Sequence, residues 1–203
     1  MLYPVLTNAN GKITTGCAVL QSFEDEDIKK IMNRLDSNKW GDLGVYSEES
    51  SNNNAVDSTS RKGKCQLLSP NPQDGHPFPL LSNVVAKLND AHWNFDIRYI
   101  DFMNDAPAVF KYEVGGKHDW HFDFIPTQST RKLSYTIQLS DSSDYEGGDL
   151  EFFNGDESNM TNPDFRQKGN IIVFPSFAWH HITPVTKGVR YAMVGWIHGP
   201  TYK

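Results

Sequence analysis

The chain has 203 residues, 38% hydrophobic and 12% aromatic, which suits a single domain with a substantial core, and nothing in it repeats at a fixed period. A formal net charge of −6 gives no basic footprint for nucleic acid, and no apolar run is long enough to span a bilayer, so neither a polyanion nor a membrane is an expected partner. The opening Met1-Leu2-Tyr3-Pro4-Val5 lacks the charged and apolar regions of a secretion signal, which makes the cytoplasm the expected location, and Cys17 and Cys65 are expected to be buried thiols, not a CxxC metal site.

In chain order, Ser22-Phe23-Glu24-Asp25 reads as a helix start, and Ile28, Ile31, Met32 and Leu35 recur at helical spacing over about 24 to 36. A long polar stretch follows Trp40, with the Ser/Asn-rich run 47–54 and the charged Arg61-Lys62-Gly63-Lys64. For residues 42 to 63 the alternatives are a disordered surface loop or a lid over substrate, and specificity is expected from the 41–75 region. A second helix is expected after Pro77-Phe78-Pro79, with Leu80, Leu81, Val84, Val85 and Leu88 on one face.

From Phe95 the pattern turns to strands: Ile97 to Phe102, Ala108 to Val114, His118 to Ile125, Lys132 to Ser140, Leu150 to Phe153, Ile171 to Phe174 and Val189 to His198. Strands following two helices, with no helices alternating among them, predict an α+β fold that is mainly β: a double-stranded β-helix, or jelly roll, backed by N-terminal helices. The expected single domain, 1–203, has helical support and the lid loop in 1–95 and the jelly-roll core in 96–198.

Within that core, Lys117-His118-Asp119-Trp120-His121-Phe122-Asp123-Phe124 sets two metal-type ligands one residue apart. In an extended strand His121 and Asp123 share one face, and Trp120, Phe122 and Phe124 share the other. Taken alone, His-x-Asp is a weak signal. Downstream, His180 leaves an apolar strand and Arg190 follows ten positions later. Two histidines and one carboxylate make the face that non-haem Fe(II) oxygenases use, with other coordination positions left open.

Tyr112-x-x-Gly115, His121-x-Asp123, Tyr145-Glu146-Gly147-Gly148-Asp149-Leu150, His180-x-Ile182-Thr183-Pro184-Val185 and Gly188-x-Arg190-Tyr191-Ala192 occur in that order. Over about residues 97 to 198 the chain resembles the Fe(II)/2-oxoglutarate dioxygenases of the prolyl 4-hydroxylase type, including their bacterial and phage-borne PKHD-like hydroxylases. The resemblance implies Fe(II) on His121, Asp123 and His180, and 2-oxoglutarate and O2 as cosubstrates. Ascorbate is an optional reductant. It implies that Arg190 anchors the far carboxylate of 2-oxoglutarate and that Tyr112 adds a hydroxyl donor; as an aromatic on a strand, Tyr112 is equally open to a packing role. Arg131 resembles a family arginine near the substrate, and Trp120 and Trp196 are further substrate candidates. For these tryptophans, and for Phe122 and Trp179, core packing is the competing expectation.

The resemblance selects His180 over His181, while His118, His76, His92 and His198 are expected to be surface or core histidines, and Lys187 a turn residue. The implied reaction is hydroxylation of an unactivated C–H bond, by default in a prolyl residue of a peptide or protein, with a free amino acid or another small-molecule substrate also open, and with release of succinate and CO2. Two other classes stay open: a zinc hydrolase on the same ligands, which would lack a partner Glu, and a non-catalytic jelly-roll binding protein. The oligomeric state is not legible.

Overall fold

The computed structural model describes residues 16–44, 59–70, 77–124, 130–153 and 159–201. Its elements begin with β1 (Ala18–Gln21), α1 (Asp25–Met32), β2 (Gly41–Asp42), β3 (Arg61–Lys62), β4 (Lys64–Leu67) and α2 (Phe78–His92). The barrel then follows in β5 (Ala108–Tyr112), β6 (Lys117–His121), β7 (Arg131–Gln138), β8 (Tyr145–Gly147), β9 (Leu150–Phe153) and β10 (Asn159–Met160). A short 3-10 helix (Pro163–Arg166) leads to β11 (Asn170–Pro175), β12 (His180–Ile182), β13 (Val185–Gly188) and β14 (Arg190–His198).

A seven-stranded sheet in the order β1-β11-β7-β14-β5-β4-β2 faces a five-stranded sheet in the order β10-β9-β12-β6-β3, and β8 pairs with β13 at one end. This is the expected jelly roll. The period-2 alternation of the large sheet divides its work between two faces. Leu133 and Ile137 of β7, Ile171 and Val173 of β11, and Met193 and Ile197 of β14 pack against Ile28 and Ile31 of α1 and Leu81, Val85 and Leu88 of α2. From the opposite face, Tyr112, Thr136, Arg190, Val194 and Trp196 line a cavity between the sheets. Every residue of β7 is buried, as its place in mid-sheet requires.

The first helix is shorter than its apolar stripe suggests. Asp27 accepts from the Glu24 backbone N–H at 3.2 Å at the start, and after Met32 the chain tightens to i→i+3 bonds, Arg34 N–H to Ile31 O and Leu35 N–H to Met32 O, which keep Leu35 against the core without a further α turn. Residues 97–102 do not form the expected strand, apart from an isolated bridge between Tyr99 and His198. Asp101 Oδ1 instead accepts from the backbone N–H of Met103 and Asn104 at 3.0 and 2.9 Å, an Asx turn that competes with a ladder. Lys187 lies in β13, not in a turn, and pairs with Glu146 at 2.8 Å. Of the stretch expected to be loop or lid, 45–58 falls outside the described residues, and its flanks form β2 and β3.

Candidate metal and cosubstrate site

β6 ends at His121, earlier than the run of alternating aromatics suggests. The chain leaves the ladder at Phe122, and Phe124 N–H bonds Ser176 O at 2.9 Å. The bend brings the Asp123 carboxylate to both imidazoles, because β12 lies beside β6 with His180 opposite His121. His121 Nε2 is 3.6 Å from Asp123 Oδ1, and His180 Nε2 is 3.8 Å from Asp123 Oδ2. One ligand atom from each of the three residues lies within 4.8 Å of the others.

The hydrogen bonds of the two histidines fix which nitrogen each presents. His121 Nδ1–H donates to Asp119 O and His180 Nδ1–H to Ala178 O, both at 2.8 Å. Each Nε2 is therefore the nitrogen turned toward the carboxylate and left for a metal. Burial pushes the His180 imidazole down to about 4, which keeps it neutral at ordinary pH. Burial also works against the charged form of Asp123, but the facing His180 and His121, with Arg131 behind, hold its carboxyl well below the usual range. Two imidazoles and a carboxylate converging in this way are ligand types that suit a divalent first-row cation.

His181 points the other way. Its Nε2 meets Glu151 at 2.8 Å and its ring stacks on Trp120 with centroids 4.0 Å apart. His118, expected to be an ordinary surface or core histidine, instead lines the cavity and stacks on His121 at 3.5 Å, where burial pushes its imidazole far down. His198 is buried beside Asp105 and Thr130, and His92 closes α2; His76 lies outside the described residues.

The cavity measures about 770 Å³. Arg190, 2% exposed, enters it from the first residue of β14, paired with Tyr112 of β5, and its guanidinium carbon is 5.6 Å from the Tyr112 ring centre. Gly148 makes room for it: at φ +64°, a Cβ there would sit 3.1 Å from Arg190 Cδ and 2.9 Å from Val185 Cγ2. The Nε of Arg190 is buried with no hydrogen-bond partner among the described residues, an arrangement suited to an anion.

Arg131 lines the same cavity, but its guanidinium is committed behind the carboxylate. Nε and Nη2 hold Asp105 at 2.6 Å each, Nη1 donates to Asp123 O at 3.0 Å, and the guanidinium carbon lies 3.6 Å over the Trp196 ring. Trp120, Phe122, Trp179 and Trp196 all border the cavity, and none belongs to the packed apolar clusters of the described residues. Neither Cys17 nor Cys65 is in a disulfide, and both are partly buried. No helix among the described residues is long and apolar enough to cross a membrane.

A family profile described as "2OG-Fe(II) oxygenase superfamily" matches residues 107–198. A PKHD-type hydroxylase of Synechococcus sp. (strain CC9902) is 40% identical over 91 residues, which are 44% of this chain and 39% of that relative. The match therefore spans about two fifths of the relative's length. A PKHD-type hydroxylase of Pseudomonas fluorescens (strain ATCC BAA-477) is 28% identical over 188 residues, 86% of this chain and 74% of the relative. Among solved structures, a Pseudomonas putida prolyl-4-hydroxylase superposes with a TM-score of 0.70 at 15% identity, over 92% of this chain and 94% of the other. A prolyl hydroxylase from Trichoplax adhaerens, in complex with a hypoxia inducible factor peptide fragment, gives 0.69 at 17% identity, over 92% and 84%. At such identities these likenesses speak for the fold. Over residues 107–198 the chain is thus similar to the 2OG-Fe(II) oxygenases, its fold is that of the prolyl hydroxylases it superposes on, and its His-Asp-His group offers three ligands to a metal ion.

Proposed function

We propose that the protein is an Fe(II)- and 2-oxoglutarate-dependent dioxygenase that hydroxylates an unactivated C–H bond, most simply in a prolyl residue of a peptide or protein. The observation that carries this reading is the convergence of His121, Asp123 and His180 on one wall of the cavity that also receives Arg190. The prolyl assignment draws on the P. putida and T. adhaerens folds, and the peptide assignment on the peptide bound to the latter.

In this reading His121, Asp123 and His180 hold the iron, which supplies oxidative decarboxylation of 2-oxoglutarate coupled to oxygen transfer. One oxygen atom of O2 goes to succinate and the other to the product alcohol, with CO2 released, so the atoms balance. Arg190 binds the distal carboxylate of 2-oxoglutarate as a guanidinium fork, and the Tyr112 hydroxyl donates beside it. The chain needs no general base for this chemistry. Its tasks are to orient two small ligands and to keep water out, and the aromatic rim of Trp120, Phe122 and Trp179 serves the second. Trp196 carries a buried indole N–H without a partner among the described residues and so has a donor to offer a substrate carbonyl. Arg131 serves the same substrate side indirectly, by fixing Asp123 and the Trp196 ring.

The test is to incubate the Fe(II)-loaded protein with 2-oxoglutarate, O2 and a panel of proline-containing peptides, and to follow succinate together with peptide mass. Succinate that rises with a peptide gaining one oxygen atom on proline is the expected result. Succinate without any peptide modification would reassign the substrate, and no Fe(II)-dependent succinate would refute the dioxygenase reading.

A further inference from the structure

Arg61 is a third guanidinium of the cavity wall, after Arg131 and Arg190 of the large sheet, and neither the motifs nor the ligand set gives it a role. It comes from the other sheet. On β3 it pairs with β6 opposite His118, after which only Gly63 separates it from β4, whose Cys65 lies opposite Phe110 in the large sheet. Three residues thus carry the chain from one sheet to the other across the end of the barrel that holds Tyr112. The crossing is close. A Cβ on Gly63 would lie 2.8 Å from Leu43 Cδ1, 3.0 Å from Tyr112 Cδ1 and 3.1 Å from Lys111 O, so only glycine brings the backbone this near.

The result is a guanidinium held in place. Arg61 Nη1 donates to Gly44 O at 2.7 Å, and its guanidinium carbon is 5.1 Å from the centre of the Phe110 ring, which packs edge-on to Tyr112. Arg61 Nε, like Arg190 Nε, is buried without a hydrogen-bond partner among the described residues. Two neighbouring carboxylates of the wall serve other cations, Asp105 with Arg131 and Asp119 with Lys117. The Tyr112 phenol registers both charges: burial pushes it up, and Arg61, ahead of Arg190, draws it partly back. A buried guanidinium N–H left unsatisfied is costly unless an anion completes it, and here two such N–H groups, on half-buried Arg61 and buried Arg190, act on one tyrosine from opposite sheets.

We propose that Arg61 is a second anchor for the distal carboxylate of 2-oxoglutarate, so that this carboxylate is clamped between Arg190 of the large sheet and Arg61 of the small one. The inference rests on the dioxygenase reading and deepens it. Gripping the cosubstrate from both sheets couples its binding to their separation at this end of the barrel.

The test measures binding in the Mn(II)-loaded protein by titration calorimetry, without turnover, for 2-oxoglutarate and for 2-oxovalerate, which has the same five-carbon chain but no distal carboxylate. Arg61→Gln keeps a donor for Gly44 O while removing the charge. It is expected to raise the Kd for 2-oxoglutarate by about 10- to 100-fold, the weight of a lost charge-assisted hydrogen bond, with Mn(II) and 2-oxovalerate affinities unchanged. Arg61→Lys, which keeps the charge but not the fork, is expected to lose less of the 2-oxoglutarate affinity and again none of that for 2-oxovalerate; it also carries the test should Arg61→Gln fail to fold. An equal loss for both acids, or none for either, would overturn the proposal. If the unsubstituted protein binds neither acid with Mn(II), the dioxygenase reading itself fails, a separate and distinguishable result.

Discussion

Arg131 Nη1 donates to the backbone carbonyl of Asp123 at 3.0 Å, while the rest of its guanidinium grips Asp105 in a two-point ion pair. The residue that presents the only carboxylate of the ligand group is therefore held from behind by a side chain buried to within a tenth of its surface. Replacing Arg131 by Ala strips Asp105 of its two-point ion pair, leaving only His198 beside it, and releases the Asp123 main chain. We expect a loss of about 3–5 kcal/mol in stability from the orphaned charge. Arg131→Lys is expected to retain much of that stability while still weakening Mn(II) binding, since one ammonium cannot make both contacts. Chemical unfolding and metal titration of the two variants check this, and unchanged Mn(II) affinity in both would remove Arg131 from the positioning role.

Metal loading should stabilise the fold. Mn(II) at about 100 times its Kd is expected to add about 2.7 kcal/mol, seen as a rise in Tm that a chelator reverses. Asp123→Ala is expected to abolish the rise, because two imidazoles remain but the charge that faces them is gone. A rise that persists in Asp123→Ala would place the metal elsewhere.

Gly148→Ala tests the backbone around Arg190. The left-handed φ of +64° costs an L-residue about 1–2 kcal/mol, and the new methyl meets Val185 and the Arg190 stem. Lower stability together with weaker 2-oxoglutarate binding is the expected outcome. Lower stability alone would mean that the Arg190 side chain adjusts without consequence.

Burial pushes the Cys17 thiol up to about 12, so little thiolate is present in the native protein at pH 8. Because the folded value lies above the unfolded one, the associated stability is complete below the ordinary thiol value and is lost as pH rises from there toward 12. Mass spectrometry after alkylation at pH 8 should find Cys17 nearly untouched in the native protein and modified once it is unfolded in urea. Equal rates in the two states would contradict the burial argument.

The chemistry was legible where residue type alone restricts it. His-x-Asp and a later His are metal-ligand types whatever the local backbone does, the family resemblance picks His180 over His181 and Arg190 as the anchor, and the structure brings these four side chains into one cavity. The long strands were legible because Leu133, Ile137 and Met193 belong to period-2 runs buried on a sheet face. The end of β6 at His121 was not, since the His-Phe-Asp-Phe alternation continues past the point where Phe124 bonds Ser176. Nor were β2 and β3, because two-residue strands have no period and exist only through their partners. Arg61 stood in plain view as part of a charged run, a pattern that usually means a solvated face. Its place beside Tyr112 depends on the chain crossing between sheets at Gly63, which no local pattern encodes.

His121, Asp123 and His180, and not His181, are proposed as the residues that would hold an iron for 2-oxoglutarate to chelate. The most direct test of this claim is the visible charge-transfer absorbance of the Fe(II)–2-oxo acid chelate, recorded without oxygen in the unsubstituted protein, His180→Ala and His181→Ala. The band should appear in the unsubstituted protein and in His181→Ala and be missing from His180→Ala. A band that survives in His180→Ala and vanishes in His181→Ala would contradict the claim.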